Sequence, residues 1–146
     1  MSKQKIIIGA DHAGFDLKEK VIEWLNSHQF EVVDVGTYSI ESTDYPDYAH
    51  KAAKLVGEEK GQLGVLICGS ANGVCMSANK HAEVRAALCW LPEIAALARQ
   101  HNDANICCLP ARFISEEMAL EITETFLNND FEGGRHSRRV NKIAQC

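Results

Sequence analysis

No stretch of this sequence stays apolar for anything like the roughly 20 residues that a membrane-spanning helix needs. The run that opens with Ile6, Ile7 and Ile8 is cut at Asp11 and His12, too short for the core of a secretion signal. Basic charge is in deficit: 15 Lys and Arg face 20 Asp and Glu, a formal net charge of −5. A chain of that sign is a poor general binder of nucleic acid or anionic membrane, so any anionic ligand must be met by a local cluster of cations. Three prolines and ten glycines are too few for collagenous or low-complexity tracts. Six cysteines are present (Cys68, Cys75, Cys89, Cys107, Cys108 and Cys146), but no two have CxxC spacing. The histidines do not pair with them at zinc-ligand spacing. Four of the six lie in or beside apolar runs, where a thiol serves as a small hydrophobe. The expectation is a cytoplasmic protein with no disulfide framework, no metal, and no nucleic-acid or membrane partner.

The hydrophobic residues, 46% of the 146, are patterned for one domain spanning 1–146. Short β-branched or apolar runs at residues 5–9, 31–35, 64–68, 85–89 and 105–109 read as strands. Between them lie segments with helical spacing. In the first, from Phe15 to about His28, Leu17, Val21, Trp24 and Leu25 share an inward face and Lys18, Glu19 and Glu23 are expected outside. The second runs from Asp47 to about Lys60 and the third from the glycine-bearing turn at 69–73 toward Ala82. Pro92 starts the fourth, Ser115 caps the fifth, and a short last helix follows Gly133-Gly134. Strands alternating with helices predict an α/β Rossmann-like three-layer sandwich: a parallel sheet of about five strands with helices on both faces. Such sheets bind ligands at the carboxyl ends of their strands.

Four places carry chemistry. Gly9-Ala10-Asp11-His12-Ala13-Gly14 follows a strand and opens a helix, but it is not a GxGxxG dinucleotide fingerprint. Asp11 is read either as a sugar-hydroxyl acceptor or as a helix cap, and His12 as an anion contact or a solvated residue. Cys68-Gly69-Ser70-Ala71-Asn72-Gly73 turns from a buried strand directly into a helix. Converging amides there favour an anion or a developing oxyanion and lower a thiol pKa. A phosphatase-type nucleophile needs Arg at position 74, which is Val74. The remaining choices are a base acting on a carbon-bound proton, with Ser70 relaying protons between oxygens, or a structural thiol. His101 and Asn102 end a helix, as a proton carrier and its neighbour or as a C-cap. Arg135 and Arg139, four residues apart on one helix face, form the basic exception in an acidic chain. Together with Arg112 they make a phosphate clamp or a solvated tail.

Taken in order, GADHAGFDLK, TDYPDYA, ICGSANGVCMSANK, VRAALC, RQHNDANI and FEGGRHSRRV resemble the B-type ribose-5-phosphate isomerases and their galactose-6-phosphate isomerase relatives, nearly end to end. The resemblance implies an aldose–ketose isomerase that needs no cofactor. Cys68 would be its base and His101 would assist ring opening. Asp11, His12, Tyr45 and Asn102 would contact substrate, and Gly69 to Gly73 (Gly69, Ser70, Ala71, Asn72, Gly73) would form the anion hole. Arg112, Arg135 and Arg139 would grip the phosphate. It further implies a homo-oligomer, dimer or tetramer, in which the C-terminal helix from about residue 134 reaches the partner's site. Two departures stand out. Ser70-Ala71 replaces a common Thr-Gly, and Val74 stands where another branch of the family places a glutamate base. A hexose 6-phosphate substrate, or a non-catalytic sugar-phosphate-binding module, are the competing expectations.

Overall fold

The computed structural model describes residues 2–146. Ile6, Ile7 and Ile8 leave β1 (Lys5–Ala10) no polar face, and the strand is buried from its second residue to its last. β2 (Glu31–Asp34), β3 (Leu63–Cys68), β4 (Ala86–Leu88) and β5 (Ile106–Pro110) complete one sheet in the order β2-β1-β3-β5-β4, and every neighbouring pair is parallel. Parallel pairing forces each connection to cross back over a face. The crossovers are α1 (Phe15–Ser27), α2 (Tyr45–Glu58), α3 (Asn72–Ala78) and α4 (Pro92–Asn102); α5 (Glu116–Leu127) and α6 (Arg135–Asn141) follow the last strand. The Rossmann-like three-layer expectation holds.

The two-residue period of the strands divides the core. Ile6, Ile8, Val65, Ile67, Cys107 and Leu109 face α1, α4 and α5, where they meet Val21, Leu25, Ala95, Ala98, Ile122 and Phe126. Ile7, Leu66, Cys68, Ile106 and Cys108 face α2 and α3, against Ala49, Ala52, Ala53, Val56, Val74 and Ala78. Adjacent Cys107 and Cys108 thus enter opposite layers as small hydrophobes. All six cysteines are free.

Boundaries differ from the expectations by a few residues, for local reasons. α2 opens at Tyr45 rather than Asp47, because Pro46 suits a first-turn position and has no N–H to leave unpaired. α4 runs on to Asn102, and Asp103 ends it in the left-handed region at φ 48°. Ser115 caps α5 as expected, its hydroxyl accepting from the Met118 amide at 3.1 Å.

One expectation is overturned. Lys18 is not outside: it is fully buried, its Nζ 2.7 Å from Asp34 Oδ2 and 3.3 Å from Glu19 Oε1. The ammonium also lies 5.5 Å from the Phe15 ring centroid and 5.3 Å from that of Tyr38. Spacing already put Lys18 on the inward stripe with Val21 and Leu25. The general exposure of lysine argued the other way, and an acidic partner on β2, distant in sequence, decided it.

The β1–α1 turn is set by contact with β3. The Asp11 amide donates to Ile67 O at 3.3 Å. A Cβ on Gly14 would lie 2.6 Å from the same carbonyl oxygen and 2.7 Å from Ile67 Cγ2. Only glycine lets α1 begin this close to the strand that ends at Cys68.

Lys18→Ala is expected to lower unfolding free energy by about 3 kcal/mol, because it strands Asp34 without its partner; urea denaturation measures it. Gly14→Ala is expected to cost about 3 kcal/mol through backbone overlap, which urea denaturation also measures.

Candidate functional site

β1 and β3 are neighbours whose onward connections leave in opposite directions, so a crevice opens between their carboxyl ends. Asp11, His12, Ala13, Tyr45, Cys68, Gly69, Ser70, Gly73, Arg112 and Phe113 line a cleft of about 430 Å³ there. Cys68 is the last residue of β3 and is 5% exposed. Most of the sequence candidates are therefore brought together: the turn after β1, the loop after β3 and the loop after β5 meet around one thiol.

Each side chain is held by its local structure. Asp11 is buried, and its Oδ1 accepts from the Gly14 amide at 3.1 Å, so it caps the turn while lining the cleft. Of the two sequence readings of Asp11, its hydrogen bond shows the capping one, at the turn before α1. His12 is pinned by Thr43: its amide donates to Thr43 Oγ1 at 3.2 Å, and its Nδ1 accepts from the Thr43 amide at 3.1 Å. That acceptor role places the proton of the neutral ring on Nε2. Thr43 belongs to the TDYPDYA motif, in which sequence reasoning had singled out only Tyr45. Tyr45 opens α2, and its ring covers Gly73, where a Cβ would lie 2.4 Å from Cε1.

The loop after β3 is built around Arg112 and Ala71. Arg112 donates its amide to Gly69 O at 3.0 Å, and its guanidinium lies over the face of Gly69 where a Cβ would stand. Among the described residues, the amides of Gly69, Ser70 and Ala71 bond to no other backbone group. Ser70 Oγ accepts from the Asn72 amide at 3.3 Å. Ala71 sits at φ 66°, ψ −9°, with its side chain fully buried. The left-handed backbone costs an alanine about 1 kcal/mol that a glycine would not lose. The residue that departs from the family pattern thus keeps the loop geometry against its own preference.

The nearby thiols differ sharply. Burial, followed by the hydrogen bond to Cys75, pushes Cys108 well above the ordinary thiol range. The same Cys108 S–H holds half-buried Cys75 below that range.

The remaining candidates lie elsewhere. Cys68 pairs with Pro110 at the carboxyl end of β5, whereas His101 and Asn102 precede Ile106 at its amino end. The strand between spans roughly 13 Å, so His101 and Cys68 of one chain cannot touch the same small sugar. α6 packs on α4 and carries Arg135 and Arg139, both exposed, on that far side. His101 stacks on His136 with ring centroids 4.3 Å apart, and Glu132 lies beside both. Sequence reasoning missed Glu132 and His136, although both lie within FEGGRHSRRV. Their chemistry depends on a neighbour from α4 that spacing does not reveal.

The family profile described as Ribose/Galactose Isomerase matches residues 6–143. Ribose-5-phosphate isomerase B of Escherichia coli (strain K12) is 43% identical over 140 residues, covering 96% of this chain and 94% of that protein. The crystal structure of a ribose 5-phosphate isomerase from Thermotoga maritima is 49% identical, with a TM-score of 0.95 over 98% of this chain and 99% of that one. The ribose-5-phosphate isomerase B of Mycoplasma genitalium with bound ribulose-5-phosphate is 45% identical, with a TM-score of 0.94 over 99% of this chain and 97% of that one. With this identity sustained over nearly the whole chain, the protein belongs to the ribose/galactose isomerase family.

Proposed function

We propose that the protein interconverts D-ribose 5-phosphate and D-ribulose 5-phosphate through an enediolate. The observation that carries the reading is Cys68, nearly buried at the floor of a cleft whose other walls are a carboxylate, an imidazole, a hydroxyl and a guanidinium. From the aldose, the Cys68 thiolate takes the proton from C2. The C2–H electrons form the C1–C2 double bond, and the C1 carbonyl pair moves onto O1. The free amides of Gly69 to Ala71 donate to that oxyanion where charge develops. Cys68 returns its proton to C1, O2 loses its proton to become the ketone, and Ser70 relays that proton to O1. The proton count closes without an outside acid.

A second copy of the chain supplies the rest. Ring opening and phosphate binding fall to His101, Asn102, Arg135 and Arg139, which stand at the opposite end of the sheet from Cys68. A homodimer that sets this end of one protomer over the Cys68 cleft of the other completes both sites, and the α6 arginines join Arg112 and His12 Nε2 around the phosphate. A tetramer is a pair of such dimers. Among the described residues no helix is long and apolar enough to cross a membrane, and the cytoplasmic assignment rests on the unpaired cysteines.

Purified protein in EDTA is expected to convert ribose 5-phosphate far faster than allose or galactose 6-phosphate. Preference for a hexose would reassign the substrate, and no turnover of any sugar would leave a binding module. Cys68→Ala is expected to lose about 10³-fold or more in kcat while keeping phosphate affinity; near-normal turnover would sink the mechanism. Refolding a 1:1 mixture of inactive Cys68→Ala and His101→Asn chains is expected to restore about one quarter of wild-type activity, because half the dimers then hold one intact site of two. No recovery would mean that each site is built from one chain.

A further inference from the structure

His101, Glu132 and His136 form the one group of three histidine, cysteine or acidic side chains, among the described residues, whose ligand-type atoms all lie within 4.8 Å of one another. The arrangement is unsuited to a metal ion. The two imidazoles stack with only 13° between their planes. A metal must lie in the plane of each ring, along its nitrogen lone pair, and parallel stacked rings send those directions side by side rather than to one point.

The carboxylate suits both rings differently. Glu132 Oε1 is 3.7 Å from His101 Nε2 and 3.8 Å from His136 Nε2. Its backbone is tied to α4 directly beside His101, the Glu132 amide donating to Gln100 O at 3.0 Å. The approach to it is fixed by Asn129, which accepts from Gln100 Nε2 at 2.7 Å and from Arg99 Nε at 3.1 Å. Desolvation first, then His101 and Arg135 beside it, holds His136 below the ordinary histidine value against the pull of Glu132. The Glu132 carboxylate thus sits beside both rings, with the buried His136 ring stacked on that of His101. Nδ1 of His101 makes no hydrogen bond among the described residues, and the side chain is 38% exposed.

We propose that Glu132 is the positioning residue for His101: its carboxylate takes the Nε2–H of the imidazole, with His136 stacked behind, and leaves Nδ1 as the nitrogen that moves protons on the sugar ring. The inference rests on the reading of His101 as the group that opens the furanose. In that step the C1–O4 bond breaks, O1 loses a proton and O4 gains one. Neutral Nδ1 accepts the first proton, and the resulting imidazolium delivers it to O4. Glu132 stabilises the imidazolium between these two events and keeps the tautomer correct, as a carboxylate does for the histidine of a serine-protease triad. The 3.7 Å separation suits an unliganded site, where catalytic hydrogen bonds are long and tighten once substrate is bound.

The test separates ring opening from proton transfer at carbon. Ribulose 5-phosphate has its O5 esterified and cannot close to a furanose. Exchange of its C1 proton in D2O, followed by NMR, therefore reads enediolate formation alone. Glu132→Gln is expected to slow saturated turnover of ribose 5-phosphate about 10- to 100-fold while leaving C1 exchange within about twofold of wild type, and Glu132→Asp is expected to recover part of the loss. Equal loss in both assays, no loss in either, or no recovery with aspartate overturns the proposal. His101→Asn is run alongside. If it fails to separate the two rates, the ring-opening role of His101 falls and this inference falls with it; if it separates them and Glu132→Gln does not, the inference alone falls.

Discussion

The contact between the start of α1 and the end of β3 is the constraint on which the site depends. Gly14 lies against the Ile67 carbonyl with no room for a β-carbon, and the Asp11 amide bonds to that same carbonyl. The turn after β1 is thereby seated beside Cys68, one residue further along β3. His12 follows from the same placement, and Thr43 then fixes its ring from the loop before α2. Moving the turn would separate the acid and the imidazole from the thiol without disturbing the core of either layer.

A buried ion pair serves the other side of that turn. Lys18 on α1 reaches Asp34 at the end of β2, and Asp34 Oδ1 accepts from the Gly36 amide at 2.9 Å. Gly36 O in turn accepts from the Ala10 amide, and Thr37 donates to Ala10 O, both at 2.7 Å. The carboxyl end of β1 is thus clamped between the β2 loop and β3. An ion pair in such a place is weak evidence for stability, since desolvating both charges offsets much of their attraction. Its value lies in fixing one arrangement of three strand ends.

The topology also divides the chemistry. A crossover helix runs antiparallel to its strands, so α4, which starts near the carboxyl end of β4, must finish near the amino end of β5. Cys68 and the loop that follows it stand at one end of the sheet, the His101–Glu132 pair and the C-terminal arginines at the other. Arg112 lies at the first end, and Arg135 and Arg139 at the second.

Much was legible beforehand because it is written in local pattern. Three isoleucines, GVLIC and NICCL read as buried strands, and helical spacing between them implies a parallel sheet. Cys68 at a strand end followed by small residues marks the loop that lines the cleft, and Asp11, His12 and Arg112 fall at strand ends by counting. What local pattern could not supply was pairwise and distant. Lys18 is buried because Asp34 waits sixteen residues away. Gly14 and Gly73 are required by Ile67 and Tyr45, and His12 is oriented by Thr43. Glu132 faces His101 only because the 129–134 loop docks on α4. The sequence by itself determined the layer order and the chemical types at the strand ends, since periodicity and side-chain chemistry are properties of neighbours along the chain. Tertiary structure alone decided which of those groups share a cleft and which stand a sheet's length apart, since that depends on the direction in which each crossover returns.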